Sequence, residues 1–207
     1  MKKILIHGSG HKGTSWNETI KFMQDNKDIL CPDLSSILNG KEEASYTNLY
    51  SSFVEYCNKI DGQIDLCGLS LGGILALNYA IDYPNKVEKL VLIGTPHKVP
   101  KVMFSIQNII FKFLPKSLFE TMAFNKKDTF VLGKTMKNLD FSNTVQNIKC
   151  PTLVICGEKD NANIKSAYYL SENIKNAKLE IMKNTGHIIN EENPEELAKL
   201  LTEFWKD

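Results

Sequence analysis

Residues 64–83 read IDLCGLSLGGILALNYAIDY, and this stretch decides the fold. Ile64 to Cys67 form a short apolar run of strand type, whereas Leu71 to Tyr83 carry apolar residues at helical spacing. Between them stands Gly68-Leu69-Ser70-Leu71-Gly72. A chain that changes from strand to helix within so few residues must turn sharply, and the glycines at both flanks let neighbouring backbone pass without a Cβ clash. Ser70 is thereby lifted above the sheet edge at a helix N-terminus, where the partial positive charge of the helix end stabilises negative charge developing nearby.

Outward from this turn, short β-branched runs alternate with longer helical segments. Lys3 to His7, Ile29 to Cys31, Ile64 to Cys67, Val87 to Ile93, Thr152 to Cys156 and Lys178 to Met182 read as strands. Ser45 to Ile60, Leu71 to Tyr83, Ile164 to Ile174 and Pro194 to Trp205 read as helices, with Pro194 suited to a first turn where no amide bond is lost. The expectation is an α/β fold: one domain over 1–207, with a mostly parallel sheet of roughly six strands covered by helices on both faces. One segment breaks the alternation. Between His97 and Asp140, apolar residues from Met103 and Phe104 through Phe113 and Leu114 to Phe119, Met122 and Phe124 are too dense for a plain connection, and the segment reads as an inserted helical cap.

Composition narrows the function classes. The chain has 207 residues, 43% hydrophobic and 24% charged, with a net charge of +1, values typical of a folded soluble domain. All 25 basic residues are lysine; with no arginine fork for phosphate and no excess of positive charge, nucleic acid is not an expected partner. The same lysine bias runs through the whole chain, so it marks no site. Residues 97–140 hold eight lysines against Glu120, Asp128 and Asp140, a local surplus that reads as a solvated face or as a surface for an acidic partner such as an acyl carrier protein. Cys31, Cys57, Cys67, Cys150 and Cys156 are an odd number without a CxxC pair and read as buried free thiols. With no signal-peptide pattern after Lys2 and Lys3 and no run of membrane-span length, a cytoplasmic location is expected.

A serine hydroxyl is a weak nucleophile at neutral pH and needs a base, which in turn needs an orienting acid. Both follow in order. Asp160 closes Gly157-Glu158-Lys159-Asp160 after the strand Thr152 to Cys156, and His187 follows Gly186 after the strand Lys178 to Met182. Each lies at the C-terminal end of its strand, the edge where open parallel sheets bind ligands. Glu158 is the fallback acid, while Asp65 starts its strand and belongs to the opposite edge. An oxyanion hole would take the amide of Leu71 and one from His7-Gly8-Ser9-Gly10, with Ser9 first and Gly10 as the alternate. Among the other histidines, His7 reads as a brace for that loop, and His11 and His97 as surface or pocket-lining residues. Cys67 reads as core packing, with no feature to lower its pKa.

These motifs resemble the α/β-hydrolase superfamily, in particular its small bacterial carboxylesterases similar to pimeloyl-ACP methyl ester esterase. Tyr83-Pro84-Asn85-Lys86-Val87, Cys150-Pro151-Thr152-Leu153-Val154 and Asn193-Pro194-Glu195 extend the resemblance over nearly the whole chain. Two departures stand out: the extra antiparallel hairpin that usually opens such folds has no counterpart, and the helix after His11 is short, so an open sheet edge and entrance are expected. The resemblance implies a cofactor-free serine hydrolase acting through an acyl-enzyme on a small-molecule ester of small or medium acyl chain, with Ser70, His187 and Asp160 as its triad. A thioesterase on carrier-bound acyl groups and a non-catalytic small-molecule-binding protein on the same fold are the alternatives.

Overall fold

The computed structural model describes residues 1–38, 43–99 and 122–206. In chain order, β1 (Lys2–Ile6) leads through a 3-10 turn (Gly13–Trp16) to α1 (Asn17–Lys21), β2 (Ile29–Leu30), α2 (Leu34–Ile37), α3 (Tyr46–Asn58), β3 (Ile64–Leu69), α4 (Leu71–Asp82) and β4 (Val87–Ile93). There follow α5 (Lys126–Met136), β5 (Thr152–Gly157), α6 (Ile164–Asn173), β6 (Ala177–Met182), α7 (Ile189–Glu192) and α8 (Pro194–Lys206). The strands form one sheet in the order β2-β1-β3-β4-β5-β6, and every neighbouring pair is parallel. The chain steps one way from β1 to β2 and the other way from β3 to β6. The crevice between β1 and β3 is therefore the topological switch point, where parallel sheets receive ligands.

Alternation along each strand divides the core into two layers. Ile4, Ile6, Leu66, Leu90, Leu92 and Val154 pack with residues of α2, α3, α4 and α6 on one face of the sheet. Leu5, Cys67, Val91, Ile93, Leu153 and Ile155 pack with Trp16 and with Leu197, Ala198 and Leu201 of α8 on the other. The expected helices have the expected starts: the Ser45 hydroxyl accepts from the Asn48 N–H at 3.2 Å at the head of α3, and Pro194 occupies the first turn of α8. β1 ends at Ile6 rather than His7, because His7 turns into the loop and bonds there instead of continuing the ladder. The helix expected after His11 is α1 and is short, at five residues; α2 and α7 are additions to the sequence reading, and at four residues each they are too brief to display a period.

Of the expected insertion at 97–140, residues 100–121 lie outside the described residues, and with them every apolar residue named above except Met122 and Phe124. The two described ends meet. The Phe141 N–H donates to the His97 carbonyl at 2.9 Å and the Val99 N–H to the Leu139 carbonyl at 3.0 Å, while the Lys98 ammonium pairs with Asp140 at 2.7 Å. Leu132 and Met136 of α5 join the core cluster beside α3, and the Thr135 hydroxyl accepts from the Tyr46 N–H at 2.9 Å. Among the described residues, no helix is long and apolar enough to cross a membrane.

Packing is tight where α4 begins. A methyl group on Gly72 would stand 2.2 Å from the Ile6 carbonyl oxygen and 2.8 Å from that of His7, inside backbone that cannot yield cheaply. Gly72→Ala is therefore expected to lower unfolding free energy by about 1–3 kcal/mol or more, read as a fall in the denaturant midpoint; an unchanged midpoint would contradict this packing.

Candidate active site

Ser70 stands between β3 and α4 with φ 54° and ψ −112°, one of two non-glycine residues with positive φ among the described residues. Such a backbone costs of order 1–3 kcal/mol and persists only where the surroundings hold it. Here the Ser70 N–H donates to the Ile93 carbonyl and its own carbonyl accepts from the Ile74 N–H, each at 2.9 Å. The sharp turn expected from the flanking glycines is thus pinned from β4 on one side and from the first turn of α4 on the other.

Asp160 is buried at the end of the turn after β5, and His187 lies in the loop after β6. The Asp160 Oδ2 stands 2.6 Å from the His187 Nδ1. A carboxylate at that distance selects the tautomer with the proton on Nδ1 and leaves the lone pair on Nε2. Burial pushes the Asp160 carboxyl upward, but the hydrogen bond and charge of His187, joined by hydrogen bonds from Asn163, more than offset it and hold the group below its ordinary range. The Asn163 side-chain amide donates to both carboxylate oxygens, at 3.0 and 2.9 Å.

The proposed oxyanion-loop residues lie across the crevice. Leu71 is the first residue of α4, so its N–H has no partner within the helix. Ser9 and Gly10 belong to the loop after β1, and His7 fastens that loop: its Nδ1–H donates to the Gly8 carbonyl at 2.8 Å, and its Nε2 accepts from the Leu34 N–H of α2 at 3.0 Å. Burial keeps this imidazole neutral, as both bonds require. Ser9, Gly10, Ser70, Leu71, Asp160 and His187 all line one cavity of about 450 Å³. Ile74, Phe124, Leu132 and Met136 add apolar side chains to its lining.

The other candidates fall elsewhere. The Glu158 carboxylate is exposed and accepts from the Asn184 N–H at 2.8 Å, so it holds the turn after β6 and does not touch His187. Asp65 is buried at the opposite end of β3, in register with Lys3 and Lys89. Cys67 is wholly buried, and burial pushes its thiol well above the ordinary value, which keeps it un-ionised. His97 stacks on Tyr169 with ring centroids 4.0 Å apart. Among the described residues, no cluster of three or more His, Cys, Asp or Glu side chains is placed to hold a metal.

Three residues around His187 were absent from the sequence reading. Asn163 is the first. Gly94, at φ 50°, leaves room for the imidazole: a methyl group there would stand 2.9 Å from the His187 Nδ1. Glu192 accepts from the Gly186 N–H at 2.6 Å and the Ile188 N–H at 3.2 Å, gripping the two amides that flank the histidine. A glycine closing an apolar strand run was a legible signal for Gly94. Asn163 and Glu192 had none, because their partners are set by the fold and not by a spacing.

Comparison with known proteins agrees with this architecture. The profile of the Alpha/beta hydrolase family matches residues 4–200. The monoacylglycerol lipase ABHD6 of Bos taurus is 25% identical over 252 aligned positions, covering 97% of this chain and 74% of that protein. A putative 2-succinyl-6-hydroxy-2,4-cyclohexadiene-1-carboxylate synthase of Bacillus subtilis is 22% identical, with 97% and 89% covered. The crystal structure of a hydrolase from Pseudomonas aeruginosa superposes with a TM-score of 0.83 at 18% identity, covering 100% of this chain and 90% of that one.

Two outcomes are expected from this geometry. Ser70→Gly relieves the positive-φ backbone and raises unfolding free energy by about 1 kcal/mol, measured by denaturant titration; a loss of stability would refute the strain. Asp160 has a depressed folded value, so its stabilising contribution is present above the unfolded carboxylate value near pH 4 and is lost as pH falls through the folded one. The difference in melting temperature between the native chain and Asp160→Asn should accordingly narrow below about pH 4, and a gap that stays constant down to about pH 3 would contradict the pairing.

Proposed function

Because the chain belongs to the alpha/beta hydrolase family, we propose that it hydrolyses carboxylic esters of small or medium acyl groups, with Ser70 as nucleophile, His187 as general base and Asp160 as its orienting acid. The observation that carries this reading is the strained backbone of Ser70, which points the residue into the cavity that also holds the Asp160–His187 pair. In this mechanism the His187 Nε2 takes the serine proton while Oγ attacks the ester carbonyl. The amides of Leu71 and of Ser9 or Gly10 receive the negative oxygen, and Asp160 stabilises the imidazolium. His187 then returns the proton to the leaving alcohol. Water, activated by the same imidazole, attacks the acyl-enzyme and releases the acid.

The apolar wall of Ile74, Phe124, Leu132 and Met136 suits the acyl chain, with the segment 97–140 acting as the cap. Charge separates this reading from one drawn on the synthase relative, which is named for a carboxylate product. A carboxylate bound in a cavity calls for a cationic partner. The chain has no arginine, and no lysine is among the described residues lining the cavity. A neutral ester fits better.

The test is labelling with a fluorophosphonate followed by mass spectrometry, paired with turnover of p-nitrophenyl esters of increasing acyl length and of a matched thioester. Adduct on Ser70, a chain-length optimum, and a loss of about 10⁴-fold or more in kcat for Ser70→Ala and about 10⁴-fold for Asp160→Asn are expected. Faster turnover of the thioester would transfer the assignment to thioesters. A folded protein that takes up no label and turns over none of these substrates would favour a binding role.

A further inference from the structure

Gly133 stands within α5, an unfavourable place for its residue type. In a helix interior glycine loses more backbone freedom than alanine and contributes no side-chain packing. Its conformation does not call for glycine. The glycines with positive φ among the described residues are Gly62 and Gly94, so Gly133 has backbone that any residue can adopt. Close packing of backbone, as at Gly72, is one reason to keep a glycine. Another is to leave space for a ligand, and Gly133 lines the cavity that holds Ser70. Because a glycine has only backbone to present, the backbone of α5 itself forms part of the lining there.

The helix turns one face to the cavity. Thr129, Leu132, Gly133 and Met136 are its buried residues, and all of them line the cavity. They recur at the intervals of three and four that define one face of a helix. A side chain at 133 would therefore join this face and take volume from the cavity. The Thr129 hydroxyl donates to the Asn125 carbonyl at 2.9 Å, so the face offers no free side-chain donor and suits hydrocarbon. It also lies on the Ser70 side of the site. Leu132 and Met136 share a core cluster with Leu71 and Ile74 of α4, and the Ile74 N–H donates to the Ser70 carbonyl at 2.9 Å. His187, the proton donor to the leaving alcohol, comes from the loop before α7, and Ile189 of that helix packs in the other layer. An acyl chain directed away from the departing alcohol runs toward α5.

We propose that Gly133 is a specificity-determining residue: the space before its backbone receives the distal part of the acyl chain, so that medium-chain esters are preferred to short ones and the residue at 133 sets the longest chain accepted. The proposal rests on the hydrolytic reading of Ser70 and His187. Gly133 takes no part in bond making. Its effect is confined to hydrocarbon remote from the carbonyl, where one methylene gained or lost in an apolar pocket changes kcat/KM by about 10- to 200-fold.

The experiment measures kcat/KM for p-nitrophenyl butanoate and octanoate in the native chain, Gly133→Ala and Gly133→Leu. The native chain should favour the octanoate. In Gly133→Leu the octanoate-to-butanoate ratio should fall by about tenfold or more, and in Gly133→Ala, which adds a single methyl, it should fall by less. Because each ratio is taken within one variant, loss of folded protein cancels. A parallel pair, n-butyl and n-octyl acetate, lengthens the alcohol instead, and its ratio should be the same in all three proteins. A native chain that favours the butanoate, an undiminished octanoate ratio in Gly133→Leu, or an equal or larger shift in the acetates overturns this proposal alone. Absence of turnover of all four esters by the native chain overturns the hydrolytic reading and this proposal together.

Discussion

The backbone-to-backbone approach between the ends of β1 and β3 and the first turn of α4 is the constraint on which the site depends. Gly72 lies against the carbonyls of Ile6 and His7, and Gly68 lies so near Gly72 that a methyl group on it would stand 2.2 Å from the Gly72 oxygen. With no side chains to separate them, helix follows strand after one intervening residue, and that residue is forced into positive φ. The loop after β1 is brought alongside by the same contact. The serine, the loop amides and the helix N-terminus are consequences of one close approach rather than three separate features.

Much of this was legible because it follows from rules of period and position. The β-branched runs gave six strands within a residue or two of their observed bounds, since a strand buried on both faces reads as a nearly continuous apolar run, as Leu66 to Leu69 do. Ser70, Asp160 and His187 were singled out by their places after β3, β5 and β6, and the fold brings the three to one cavity. The residues that hold them in place were illegible for a physical reason. Asn163 bonds a carboxylate three residues away and Glu192 bonds two amides on either side of His187. Such contacts depend on how loops curl at the sheet edge, and neither residue type nor spacing announces them. Brief helices such as α2 escaped detection in the same way: four residues complete barely one turn.

Electrostatics complement the geometry. A chain whose cations are all lysine keeps lysine from the described lining of its cavity and places there one buried carboxylate, Asp160, satisfied on both oxygens. The thiols of β3 and β5, Cys67 and Cys156, are buried; the latter is pushed up to about 12 by burial and by the nearby Asp160. Ionisable chemistry is thereby concentrated on imidazole. The two histidines flanking the crevice differ in what orients them: a carboxylate at 2.6 Å on the Nδ1 of His187, and one at 3.6 Å near the Nε2 of His11. Opposite nitrogens are left with lone pairs.

The pairing of His97 with Phe141 and of Val99 with Leu139 closes the base of the segment between β4 and β5. Its two ends leave the sheet side by side, so the sheet is indifferent to how much chain is strung between them. Lengthening a loop whose ends are already together adds a penalty that grows only with the logarithm of its length, about 0.6 kcal/mol for each doubling. The fold therefore has a socket in which the sheet and the segment inserted into it can diverge at different rates. Exchange of everything beyond the bridge would reshape what the cavity admits without moving a strand.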